Sequence, residues 1–114
     1  MVEVEEVFKG EKLIGKKARN PVTGSDMLIL PASFVDPGNA TGVVMSVPGH
    51  APYDYVALKN LKRDASLRGF GLRHDEIRAI NPISLIEVPG YSEWPAVEEV
   101  KKRGISEQTD SRLE

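Results

Sequence analysis

The stretch GVVMSVPGHAPYDY (Gly42 to Tyr55) restricts the fold more than any other, because its periodicity changes at a single bend. Val43 to Val47 is apolar except for Ser46, the pattern of a short buried strand, and Pro48-Gly49 ends it. Pro52 suits the first position of a helix, where its missing N–H costs nothing. From there Ala57, Leu58, Leu61 and Ala65 recur at helical spacing, with Lys59, Lys62 and Arg63 on the opposite side. Asp54 lies one helical turn before Ala57 and Leu58, so this carboxylate falls on the apolar stripe. A strand that passes directly into a helix, with a charge on the helix's inward side, is the feature the rest of the chain must accommodate.

Other segments supply candidate strands. VEVEEVF (Val2 to Phe8) alternates and predicts an edge strand, and KLIGKKARNPVTGSDMLIL predicts two strands joined by a turn at Asn20 to Asp26. MLILPASFV reads as a buried strand interrupted at Pro31, PGNATG as a loop, and ISLIEV (Ile83 to Val88) as another strand. LRGFGLRHDEIRAINP, broken by glycines, predicts a loop with one short helical turn. A second helix is predicted to start at Pro95, pair Glu98 with Lys102 and Glu99 with Arg103, and stop at Gly104. The polar end ISEQTDSRLE is expected to be frayed. Several strands with two short helices imply an α+β fold: a small β-barrel or a strongly curved, mostly antiparallel sheet with peripheral helices.

Composition removes several function classes. At 114 residues the chain holds one domain or part of one. It has no cysteine, which excludes disulfides, thiolate zinc sites and thiol nucleophiles together. A formal net charge of -2 gives no global attraction to nucleic acid, so RNA contact would need a local patch. No apolar run reaches the ~20 residues of a membrane helix, and the acidic N-terminus is unlike a secretory signal. A soluble, cytoplasmic protein without membrane or DNA partners is the expectation. No G-x-S-x-G, P-loop or paired-carboxylate motif is present.

The remaining candidates each have two readings. Asp54 at the third helical position can simply favour the helix dipole, worth ~0.3–1 kcal/mol. It can equally hold a ligand's ammonium through a charge-assisted bond worth ~1.5–3 kcal/mol. His50, at the bend, is either a surface or capping residue, or a donor to phosphate, ribose or carbonyl oxygen, or an acid/base group. A metal pair of His50 and Asp54 finds only the remote His74 and Asp75 as additions, so no metal site is expected. Met45 and Val47 share one strand face with Val43, as plain core or as the floor of a pocket. Lys9, Lys12, Lys16, Lys17 and Arg19 form either a solvated hairpin face or a track for a nucleic-acid backbone, without interleaved aromatics to stack bases.

ATGVVMSVPGHAPYDYVAL (Ala40 to Leu58) resembles the hallmark segment of the editing domain inserted in leucyl-tRNA synthetases, in its archaeal and eukaryotic form. The resemblance extends through EKLIGKKARNPVTG and LILPASFVDPGNATG upstream, and through ISLIEVPGY and WPAVEEVKKRGI downstream, and is weakest across Arg63 to Ala79. It implies a β-barrel with peripheral helices that hydrolyses mischarged tRNA(Leu) carrying isoleucine or norvaline. In that family the aspartate of HAPYD anchors the α-ammonium group of the aminoacyl moiety, which here is Asp54. The same resemblance puts His50 at the substrate-facing bend, as a catalytic-site residue with Asp54, and Met45, Val47 and Thr41 in the substrate-binding set. The bacterial motif carries a further aspartate directly after the histidine; Ala51 stands there in this chain, so no role passes to it.

The need for such a site is physical, since a synthetic pocket separates aliphatic side chains differing by one methylene by only ~1–3 kcal/mol. The ester is already activated, so a positioned water suffices without a protein nucleophile. The family's T-x-R-P-x-T segment is absent from the sequence, as are the ATP-site signatures H-I-G-H and K-M-S-K-S. Residues 1–114 therefore read as an editing-domain fragment lacking the N-terminal threonine-rich segment, weak or inactive alone, with no cofactor of its own and ATP serving the synthetic site of the parent enzyme. Its expected partner is the mischarged 3′ end of tRNA(Leu). Alternatives are the editing domain of a valyl- or isoleucyl-tRNA synthetase, and a non-catalytic RNA-binding module using the lysine-rich hairpin.

Overall fold

Helix α1 (Pro52–Leu61) divides the interior of the molecule into two clusters. The structure, a computed structural model, describes residues 2–64 and 70–113. Toward one side α1 places Val56 against Val100, Ile105 and Leu113, with Tyr53 and Tyr55 packed around them. Toward the other, Leu61 joins Ile14, Leu28 and Leu30 around Leu72 and Ile77. Helix α1 buries three consecutive residues, Val56, Ala57 and Leu58, and so lacks a single clean stripe. The sequence pattern missed Val56, which is fully buried, and Ala65 lies outside the described residues.

Strands β1 (Lys17–Arg19) and β2 (Asp26–Leu28) pair antiparallel, Ala18 opposite Met27, across the expected turn. Asn20 builds that turn: its Oδ1 accepts from the Val22 N–H at 2.9 Å and its carbonyl from Gly24 at 2.8 Å. The short α2 (His74–Arg78) is the expected single helical turn and buries Ile77. Helix α3 (Pro95–Arg103) starts on proline and stops at Gly104, whose φ of 65° is the left-handed cap that glycine adopts at little cost. Arg103 Nε donates to Glu99 at 2.9 Å, the expected i,i+4 pair.

The fold is thus α+β, but the sheet among the described residues has two strands, and several expected strands do not form. Residues 2–8, 43–47 and 83–88 have no ladder partner among the described residues. Val43, Val44 and Met45 are exposed, as are Ile83, Leu85 and Ile86. Their composition suits a sheet, yet β structure exists only where a neighbouring strand completes the hydrogen bonds.

The C-terminal residues depart from expectation in the other direction. Ile105 and Leu113 are buried, and residues 111–113 form a 3₁₀ turn. Arg112 holds this tail by donating from Nη1 to the Arg103 carbonyl at 2.7 Å and from Nε to Asp110 at 3.0 Å. Hydrogen bonds from the Arg112 side chain, then from its backbone N–H, lower the Asp110 carboxyl from 3.8 to about 2. A depressed carboxyl contributes fully above its unfolded value and loses that contribution as pH falls through its folded value. Exchange of the Leu113 amide, taken relative to its intrinsic rate at each pH, is therefore expected to accelerate between about pH 4 and pH 2, ahead of the α1 amides. In Arg112→Ala it should already be fast at neutral pH; equal protection in both chains would show that burial of Leu113 alone docks the tail.

Candidate functional site

The bend at residues 47–51 is built around the backbone of Val47. Its carbonyl accepts from the His50 N–H at 3.0 Å and the Ala51 N–H at 2.9 Å, closing the turn that Pro48 and Gly49 make possible. Its own N–H donates to Asp54 Oδ2 at 2.8 Å. Asp54 therefore reaches backward from the first turn of α1 and fastens the segment that precedes the bend. Pro52 opens the helix, and Ala51 at the cap has no side-chain bond to offer. This geometry answers part of why a carboxylate faces inward: Oδ2 satisfies a half-buried donor. Among the described residues Oδ1 has no hydrogen-bond partner.

Two other elements close on the same bend. The Ala96 N–H, one of the orphan donors at the start of α3, donates to the Gly49 carbonyl at 3.1 Å. Residues 83–85 approach from another side, where the Leu85 N–H donates to His50 Nε2 at 2.9 Å. Gly49 is fully enclosed: a Cβ placed on it would lie 2.8 Å from the Ile83 carbonyl oxygen and 3.5 Å from Trp94 Cδ1. Gly49→Ala must displace that backbone, and is expected to destabilise the chain by ~1–3 kcal/mol, read as a lower urea midpoint. An unchanged midpoint would mean that residues 83–85 move aside freely.

The sequence-derived site residues are thus gathered only in part. Asp54, Val47 and His50 belong to one hydrogen-bonded unit, all half-buried. Met45 is exposed, and Thr41 lies in the preceding loop, its Oγ1 bonded to both the N–H and the carbonyl of Val43. Two open cavities of about 270 Å³ each do not include the unit. One is lined by Phe34, Val35 and Val43 among others, the second by Ala57, Leu61 and Phe70 among others. Gly49, Leu85 and Ala96 were missed as site residues. A glycine between Pro48 and His50 signals a close approach, but nothing in the local sequence identifies Leu85 as its neighbour.

Other candidates separate from this unit. His74 sits on α2 with Nε2 3.0 Å from the Asp64 carbonyl oxygen, and Asp75 accepts from Arg73 at 2.9 Å. No cluster of three or more potential metal-ligating side chains occurs among the described residues. Lys9, Lys12, Lys16 and Lys17 are exposed near the hairpin, while Arg19 pairs with Asp26 at 3.4 Å. No helix among the described residues is long and apolar enough to cross a membrane.

No family model matches the chain. Individual relatives do, at high identity. The chain is 60% identical over 110 residues to the leucine–tRNA ligase of Pyrococcus abyssi, covering 96% of this chain and 11% of that protein. Identity to the leucine–tRNA ligase of Pyrococcus horikoshii is 58%, with the same coverage. For that of Methanothrix thermoacetophila it is 56% over 105 residues, covering 92% of this chain and 11% of the relative. The chain spans about a tenth of the length of the relatives it matches. The strand–bend–helix unit lies within a similarity that runs through almost the whole sequence, and over that span the chain resembles one segment of leucine–tRNA ligases of archaeal type.

Proposed function

We propose that residues 1–114 form part of an editing domain that hydrolyses the ester of tRNA(Leu) mischarged with isoleucine or norvaline. The observation that carries this reading is Asp54, a half-buried carboxylate that accepts from the Val47 N–H with one oxygen and has no hydrogen-bond partner for the other among the described residues. In the proposed site Oδ1 receives the α-ammonium group of the aminoacyl moiety. Val47, fixed by three backbone hydrogen bonds, limits the side chain that can lie beside it. Met45 and Thr41 border the same substrate. The ester needs no protein nucleophile, so the residues of this segment position the substrate while ribose hydroxyl and backbone groups orient the attacking water.

In this reading the threonine-rich strand of the site and further barrel strands come from outside residues 1–114, and would cover the exposed 43–46 and 83–87 segments. The whole protein would ligate leucine to tRNA with ATP at a separate site, in the cytoplasm. The relatives named above support a leucyl parent over a valyl or isoleucyl one.

The test is the full-length enzyme that contains this segment. Asp54→Ala should charge leucine but let isoleucyl- and norvalyl-tRNA accumulate; clearance of both at the unaltered rate would remove the assigned role. If the exposed lysines instead make the segment a plain RNA-binding module, reversing charge at Lys16 and Lys17 would abolish RNA affinity, and Asp54→Ala would not matter.

A further inference from the structure

We propose that His50 is a positioning residue, held as its Nδ1–H tautomer, which together with Gly49 latches residues 83–85 onto the bend. A backbone N–H can only donate. The ring nitrogen 2.9 Å from the Leu85 nitrogen must therefore present a lone pair, and the proton of the neutral ring must sit on Nδ1. Nε2 is then engaged and unavailable to give or take a proton during ester cleavage. This separates His50 from the acid/base role its position suggests.

Residues 83–88 have the composition of a strand but no ladder partner among the described residues. In place of a neighbouring carbonyl, the Leu85 amide finds an imidazole. Gly49 contributes an independent contact, since only the missing Cβ lets the Ile83 carbonyl oxygen approach. The Ala96 N–H restrains the Gly49 carbonyl from the α3 side. The bend is consequently fixed by its own turn, by α3 and by the latched segment. The latch stands on this geometry alone. Its service to the aminoacyl pocket, holding residues 83–85 in place relative to Val47 and Asp54, rests on the editing reading.

The chain supplies its own control. Its other histidine, His74, places Nε2 3.0 Å from the Asp64 carbonyl oxygen, an acceptor, so that ring carries its proton on Nε2. The two rings are expected in opposite tautomers. Long-range ¹H–¹⁵N NMR on the unaltered chain at about pH 8, where ordinary imidazoles are neutral, reads this directly. His50 should show an unprotonated Nε2 and a protonated Nδ1, and His74 the reverse. A protonated Nε2 on His50 overturns the latch.

Exchange of the Leu85 amide provides a second reading. It should quicken about fivefold in His50→Ala, the effect of losing one hydrogen bond, and recover in His50→Gln, whose Oε1 can accept the same N–H. Equal exchange in all three chains also overturns the latch. In the full-length enzyme, clearance of isoleucyl-tRNA should fall in His50→Ala and be rescued in His50→Gln. Unimpaired clearance in His50→Ala, where Asp54→Ala fails to clear, overturns the positioning role. Unimpaired clearance in both variants overturns the editing reading and leaves the latch standing.

Discussion

Asp54→Ala in the full-length enzyme is expected to slow deacylation of isoleucyl-tRNA by at least tenfold, and to do so through two separable losses. In the proposed editing site, the first is the anchor for the ammonium group. A charge-assisted hydrogen bond of ~1.5–3 kcal/mol corresponds to a rate effect of about 10- to 150-fold if it is fully expressed in the transition state. The second is the partner of the Val47 N–H, 2.8 Å from Oδ2. An unpaired half-buried donor costs up to ~1–3 kcal/mol, which lowers stability and loosens the bend. Asp54→Asn distinguishes them. Its carboxamide oxygen can still accept from Val47, so stability should remain near that of the unaltered chain while deacylation falls with the lost charge. Should Asn and Ala lose stability equally, the Val47 bond contributes nothing measurable. Should Asn deacylate normally, the negative charge is not what the substrate needs.

The second large effect concerns the scaffold. Ile77 has no exposed surface and lies at the centre of the cluster with Leu72, to which Ile14, Leu28, Leu30 and Leu61 add. Ile77→Ala should destabilise the chain by ~2–5 kcal/mol through lost burial and the cavity left behind. Domains of this size hold only ~5–15 kcal/mol in total, so the variant is expected to be partly unfolded at 37 °C. Denaturant titration followed by circular dichroism measures this. A midpoint equal to that of the unaltered chain would mean the cluster collapses around the gap. Because Leu61 ends α1 in this cluster, the damage should extend to the helix that carries Asp54.

The helices were legible in the sequence because their signals are local. Pro52, Pro95 and Gly104 mark ends by backbone chemistry alone, and the hairpin turn announces itself through Pro21 and Gly24. Spacing also put Asp54 on the apolar side of its helix, and the structure has it half-buried. What spacing could not supply was its partner, since Val47 lies across a bend whose shape depends on three separate elements. The expected strands at residues 2–8, 43–47 and 83–88 mark the opposite limit. Valine and isoleucine record a readiness to pair, but pairing belongs to two segments at once, and the second was not theirs to specify. Likewise His50 was visible as a reactive residue, but the amide that occupies its ring comes from a position 35 residues later. The tail was misjudged because hydrophilic residues surround Ile105 and Leu113, and two apolar anchors suffice to dock it.

Val47 also sets an origin for anything that aligns beside the apolar run before it. With its amide given to Asp54 and its carbonyl shared by His50 and Ala51, it has no backbone group left to extend a ladder. A strand added along residues 43–46 would have to stop at Ser46. The alternation of side chains between the two faces would then be counted backward from a fixed end, which removes the slippage to which short valine-rich segments are otherwise prone.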